Sequence, residues 1–146
     1  MGKDGFSLLE VMVVVVIVGI IAAVAIPSYS GYVTRTRRAE AIQALQTVAL
    51  YEERTWAETG SYVSEANLMA RFPVLDPDGD GDYEGTDNYN IIINTVAATT
   101  FTARAVGQNQ QAGDAYVFAL DQDGTVGVYD GAGGVTSNPD LWRNLR

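Results

Sequence analysis

The chain contains no cysteine and no histidine. Without thiols there is neither a disulfide nor thiolate chemistry, and without imidazoles there is no Ser-His-Asp triad and no usual zinc site. Positive charge is also scarce. Nine Lys and Arg residues face eighteen Asp and Glu, a formal net charge of −9. A surface of that sign repels phosphate backbones, so nucleic-acid binding is disfavoured. Arg35, Arg37 and Arg38 form the one basic cluster, and it follows directly on the apolar N-terminal segment. No nucleophile stands beside a base and no acid pair sits in apolar surroundings, so the sequence offers nothing for an enzyme to use. At 146 residues the chain can form one globular domain with a modest core.

What the chain does have is a nearly unbroken apolar run, Val11 to Ile26, entered through Gly5-Phe6-Ser7-Leu8-Leu9-Glu10. A helix from Phe6 to Ile26, rising about 1.5 Å per residue, would be roughly 30 Å long, the thickness of a bilayer's hydrocarbon core. Glu10 lies at the edge of this run. An acid there is costly, about 2.5–3.5 kcal/mol for an Asp near a membrane centre, and the run supplies no cation to pair with it. Pro27 ends the apolar stretch; it removes a backbone donor and clashes with the preceding turn, which predicts a kink or a locally melted helix.

The Gly5-Phe6 step, Glu10 five residues into the would-be mature chain, and Pro27 together resemble the class III signal of type IV prepilins. Type IV pilins and type II secretion pseudopilins share it. The resemblance implies a leader, residues 1–5, that a membrane-embedded prepilin peptidase removes by cutting between Gly5 and Phe6. It implies N-methylation of Phe6, and a role for Glu10 in neutralising the methylated amine of a neighbouring subunit during assembly. Residues 6–27 would be the transmembrane helix that later becomes filament core, and residues 28–146 the extracytoplasmic pilin domain, including the second half of the long helix. The implied partners are other pilin subunits in a homo- or hetero-oligomeric filament, the peptidase, the pilus assembly platform and the inner membrane. The implied location is a single-pass inner-membrane protein with a periplasmic domain before assembly, and an extracellular pilus afterwards. Charge asymmetry alone argues the opposite orientation, since Lys3 is offset by Asp4 while three arginines follow the run. We adopt the orientation of the resemblance, because a dedicated signal directs it.

Beyond Pro27, helical periodicity returns from Val33 to about Thr59. Ala41, Leu45, Val48 and Glu52 share one spacing, with Ile42 and Ala49 alongside. Arg54 and Glu58 stand four apart on the exposed side, and Gly60 closes the helix. A short helical piece is expected around Glu65 to Arg71. Strand-like runs follow at Tyr89–Thr95, Thr99–Val106, Ala115–Leu120 and Thr125–Tyr129, with Asp123-Gly124 as a tight turn between the last two. The expected fold is therefore α+β, a type IV pilin fold with one long N-terminal helix and a four-stranded antiparallel sheet. Tyr51-Glu52-Glu53-Arg54, Gly60-Ser61-Tyr62, Asn88-Tyr89-Asn90, Thr99–Ala103 and Trp142-Arg143 resemble PilE-type minor pilins. Those proteins usually close the C-terminal region with a disulfide; the matching positions here hold Ala115 and Leu141. We expect an apolar contact of Leu141 and Trp142 to take its place.

Asp76-Pro77-Asp78-Gly79-Asp80-Gly81-Asp82-Tyr83-Glu84-Gly85-Thr86-Asp87 fits the register of a calcium loop. Asp76, Asp78 and Asp80 fall at positions one, three and five, with Gly81 at six. Asp82 can offer its carbonyl at seven, and Glu84 and Asp87 fall at nine and twelve. No cofactor is required by anything in the chain, and Ca²⁺ is the candidate ion. A solvated acidic turn is the simpler alternative. Three roles stay open on sequence: a minor pilus subunit for assembly, adhesion or twitching motility; the major pilin of the filament; and a secretion pseudopilin.

Overall fold

A computed structural model describes residues 6–77, 79, 83 and 86–143, with backbone only at 95 and 96. Gly5, Asp78, Asp80, Asp82 and Glu84, all named above, lie outside the described residues. One helix, α1 (Leu8–Thr59), is followed by α2 (Glu65–Arg71), strands β1 (Tyr89–Ala97) and β2 (Thr100–Gly107), and a 3-10 turn at Asn109–Gln111. Then come β3 (Phe118–Asp121), β4 (Val126–Tyr129), β5 (Val135–Ser137) and a terminal α3 (Pro139–Arg143). By backbone compactness the chain divides into residues 1–35 and 36–146.

In the second unit, the helical periodicity does what its spacing demands. Ala41, Leu45, Val48 and Glu52 are all fully buried, and Ile42 and Ala44 nearly so. That face of α1 joins Ile91, Ile93, Phe101, Ala103, Ala105, Phe118 and Leu120 in a single core. Along β2, Phe101, Ala103 and Ala105 turn inward as period-two alternation requires. The helix closes at Gly60, whose φ of 75° is open to glycine at little cost and whose N–H reaches the Trp56 carbonyl at 2.7 Å. Arg54 Nε meets Glu58 Oε1 at 3.0 Å, and Arg71 from α2 pairs with the other oxygen of Glu58.

The sheet is an antiparallel meander in chain order, β1-β2-β3-β4-β5. It has five strands where the sequence reading expected four. The added strand, Val135-Thr136-Ser137, holds two β-branched residues and a serine inside a Gly-rich tail, too short to register as a period. Gly127 makes room for it: a Cβ there would lie 1.9 Å from the Thr136 carbonyl oxygen. The third strand also starts later than expected, at Phe118 rather than Ala115. The preceding residues are held in a turn, with Asp114 N–H donating to Gln111 O at 2.9 Å and Tyr116 N–H to Asp114 Oδ1 at 3.2 Å. At the β3–β4 turn, Asp121 Oδ1 accepts the N–H groups of Asp123 at 3.0 Å and Thr125 at 2.9 Å. That carboxylate is a turn device, an aspartate bonding the backbone just ahead of it.

Candidate assembly site

Ser7 starts α1. Its hydroxyl accepts the Leu9 N–H at 3.2 Å, so the first turn is satisfied at its N-terminus. From there the helix carries β-branched and aliphatic side chains on every face. Nearly every residue from Phe6 to Ser30 is exposed, Phe6 at 82% and Ile26 at 68%. This stretch is long and apolar enough to cross a membrane by length and composition. A helix that is apolar all round has no face to give to water; it must be enclosed by lipid or by other helices.

Glu10 is the single ionisable group in that surface between Phe6 and Tyr29. It sits in the first helical turn, where the positive end of the helix dipole favours a carboxylate. With Phe6, Val11, Val14 and Val15 it lines a shallow groove of about 270 Å³ whose walls are otherwise aliphatic or aromatic. Phe6 and Glu10 therefore lie side by side.

At Pro27 the expected local melting does not occur: α1 runs through it as α-helix. The side-chain hydroxyls around it bond back to helix carbonyls, Ser28 Oγ to Val24 O at 3.0 Å, Ser30 Oγ to Pro27 O at 2.9 Å and Thr34 Oγ1 to Ser30 O at 3.1 Å. Hydroxyls that satisfy their own helix in this way can enter a membrane interface or a helix bundle without a further partner.

In the second unit, the arginines after the apolar run are already engaged. Arg38 makes a bidentate pair with Asp114, Nε to Oδ2 at 2.8 Å and Nη2 to Oδ1 at 2.7 Å, and its guanidinium lies 4.9 Å from the Tyr116 ring centroid. Arg37 bonds Gln110, and the Tyr89 hydroxyl donates to Asp114. Burial by itself would raise the Asp114 carboxyl, but Arg38, Tyr89 and the Tyr116 N–H outweigh it and hold it below the usual carboxylate range. Sequence reading missed this cluster. Its members lie 25 and 76 residues from Asp114, and no local pattern announces such a meeting.

Asp114 stands next to Ala115, one of the two positions where the resemblance led us to look for a cysteine. At the other, Leu141 packs on the core and its N–H bonds Asn138 Oδ1 at 3.1 Å. Trp142 is buried, with Nε1 donating to the Gly127 carbonyl at 3.2 Å. The expected apolar closure at Leu141-Trp142 is present, supplemented by the Arg38–Asp114 tie.

Of the acidic loop, Asp76 and Asp87 are described. Asp76 Oδ1 accepts the Gly79 N–H at 2.8 Å, and the Asp87 carbonyl accepts from Asn109 Nδ2 at 2.6 Å.

An exposed apolar helix carrying one carboxylate beside its first aromatic residue, joined to an α+β domain, defines a protein whose N-terminal part belongs in apolar surroundings, lipid or other helices. The chain belongs to the family described as type IV minor pilin ComP, DNA uptake sequence receptor, whose profile matches residues 27–115. The prokaryotic N-terminal methylation motif matches residues 1–26. A solved type IV pilin from Shewanella oneidensis is similar at 23% identity with a TM-score of 0.48, covering 71% of this chain and 98% of that one. No curated protein matches. The chain is thus a type IV pilus subunit of the minor-pilin kind, with the class III signal of that group.

Proposed function

We propose that this pilin is cut between Gly5 and Phe6, methylated on Phe6, and held in the inner membrane by residues 6–27 with its domain outside until the pilus takes it up. The observation that carries this reading is the exposed apolar length of α1 with Glu10 beside Phe6. Within a filament the Glu10 carboxylate would neutralise the methylated amine of an adjacent subunit's Phe6. Two such charges about 4 Å apart attract by about 4 kcal/mol at an effective dielectric near 20, enough to offset burial and to set axial register. N-terminal mass spectrometry on sheared filaments tests it. Methyl-Phe6 peptide at low abundance is the expected result; processed protein confined to the envelope would overturn it.

The family's description as a DNA uptake receptor supplies a second reading. Charge weighs against it, since the net value is −9 and Arg37, Arg38, Arg54, Arg71 and Arg143 already have side-chain partners. Duplex binding that weakens steeply with salt would favour that reading.

A further inference from the structure

Glu52 is an acid in a place that suits a leucine. Its side chain is fully buried on the core face of α1, in line with Leu45 and Val48. One oxygen, Oε2, accepts the Val63 N–H at 3.1 Å; the other, Oε1, is buried and has no hydrogen-bond partner among the described residues. Val63 belongs to the short segment 61–64 that leaves the end of α1 and leads into α2. Its neighbour Tyr62 is seated there by four contacts: its hydroxyl on Glu53 Oε1 at 2.7 Å, its N–H on the Ala98 carbonyl at 2.7 Å, and its ring against Phe101 at 4.8 Å and stacked on Trp56 of α1 at 6.2 Å. The Val63–Glu52 bond is one of several ties between α1 and this segment, beside the Thr59–Ser61 hydrogen bonds and the Tyr62 contacts to Glu53 and Trp56.

We propose that the Glu52 carboxyl is a proton-operated latch: neutral while residues 61–64 are seated on α1, ionised when that segment lifts and water reaches it. A neutral carboxyl tolerates this site, because its cost is one imperfectly satisfied polar group. An ionised one does not, because no cation among the described residues pairs with it. Of the acids around it, Glu53 adds its charge to the effect, and the others are engaged elsewhere. Glu53 lies beside it on α1 and is occupied by Tyr62; Glu65, at the start of α2, accepts the Ile93 N–H at 3.2 Å; Asp123, from the β3–β4 turn, acts on the Tyr62 phenol. Arg54 and Arg71 are committed to Glu58. Burial pushes the Glu52 carboxyl up to about 7, the Val63 N–H opposes this, and the Glu53 charge adds to it. The folded form therefore holds a proton that the open form releases. Stability contributed by Glu52 is present in mild acid and is lost as pH rises toward and through about 7.

The test uses the full chain in detergent micelles. Carboxyl carbon NMR on ¹³C-glutamate-labelled protein should show one glutamate titrating near neutrality, absent in Glu52→Gln. Exchange of the Val63 amide, corrected for its intrinsic rate, should lose protection by roughly tenfold or more between pH 5 and 8 in the wild type. In Glu52→Gln the loss should vanish. A Glu52 resonance titrating in the ordinary carboxylate range would overturn the proposal, as would Val63 protection independent of pH. The wild-type titration decides the matter even if Glu52→Gln fails to fold.

Discussion

α1 is one helix written for two solvents. Its first part, to about Ser30, is apolar on all sides and exposed on all sides; its second part, from Ala41 on, confines buried residues to one stripe. The stripe names a partner, because a single apolar face needs one sheet to cover it, and the sheet is in the same chain. The uniform coat names no partner within the chain. It specifies only that the surroundings be apolar, which both a bilayer and a bundle of identical helices satisfy. That indifference is what a subunit needs if it is to leave a membrane and enter a filament without refolding. The handling of polar groups follows the same division. Near the apolar part, hydroxyls bond their own backbone and Glu10 lies among apolar side chains; in the second part, Asp114 and Glu58 have arginine partners.

The largest expected effect breaks the first part. Glu10→Ala should still be cut yet enter filaments at least about tenfold less, since a contact worth about 4 kcal/mol at close range far exceeds the ~1.4 kcal/mol of one decade. Quantifying the peptide that begins at Phe6, methylated or not, in sheared filaments against the membrane pool measures it; equal ratios for mutant and wild type would remove Glu10 from assembly. Truncation at Leu45, fully buried on the stripe, should instead cost the domain about 2–5 kcal/mol in denaturant unfolding. The matching truncation Val16→Ala, on a side chain 60% exposed, should leave domain stability within about 0.5 kcal/mol. If both substitutions destabilised the domain equally, the two-solvent division of α1 would be wrong.

A smaller effect tests how the domain holds together without a disulfide, a link that ordinarily contributes about 2–4 kcal/mol. Arg38→Ala strands a carboxylate whose side chain is fully buried. It should cost about 3 kcal/mol, the low end for breaking a buried pair, because Tyr89 and the Tyr116 N–H still serve Asp114. The sign with pH is set by Asp114, whose folded-state carboxyl is held low. Its stabilisation is present above the ordinary carboxylate range and is lost as pH falls through the depressed folded value. Unfolding curves of wild type and Arg38→Ala should therefore converge in acid. Parallel curves down to the lowest pH reached would show that the pair does not carry this stability.

Features set by neighbours along the chain were legible in the sequence. The period of α1, the Gly60 stop, the bounds of α2, the inward residues of β2 and the Asp123-Gly124 turn each depend on residues within a few positions. The processing signal was legible for the same reason, being a contiguous address read by a peptidase. What stayed hidden depends on pairing across the fold. β5 exists because Gly127 admits a backbone that a side chain would exclude, and Asp114 is fixed by partners far away in sequence. Glu52 shows both sides. Its place on the stripe was readable from spacing, while the lack of a second partner among the described residues could only be seen once the segment carrying Val63 was folded over it.

The smallest expected effect concerns the acidic loop, where the sequence pattern is the main support. Six acids in twelve residues repel one another, and alternate carboxylates with Gly81 at the turn position suit six to eight oxygens around Ca²⁺. Asp76 Oδ1 already accepts the Gly79 N–H, a local bond of the kind aspartate makes in turns. For an extracellular site with a dissociation constant of about 0.1–1 mM, 1 mM Ca²⁺ would stabilise the folded chain by about 0.4–1.4 kcal/mol. The gain should be reversed by chelator and abolished in Asp80→Asn. It should also be blind to Glu10→Ala, because an ion bound in the domain has no access to the register of the apolar helix. Calorimetry with neither heat nor a shift in melting temperature would reduce the loop to a solvated turn. Calcium stabilisation that disappeared in Glu10→Ala would mean instead that the two parts of the chain, so differently solvated, are coupled through the ion.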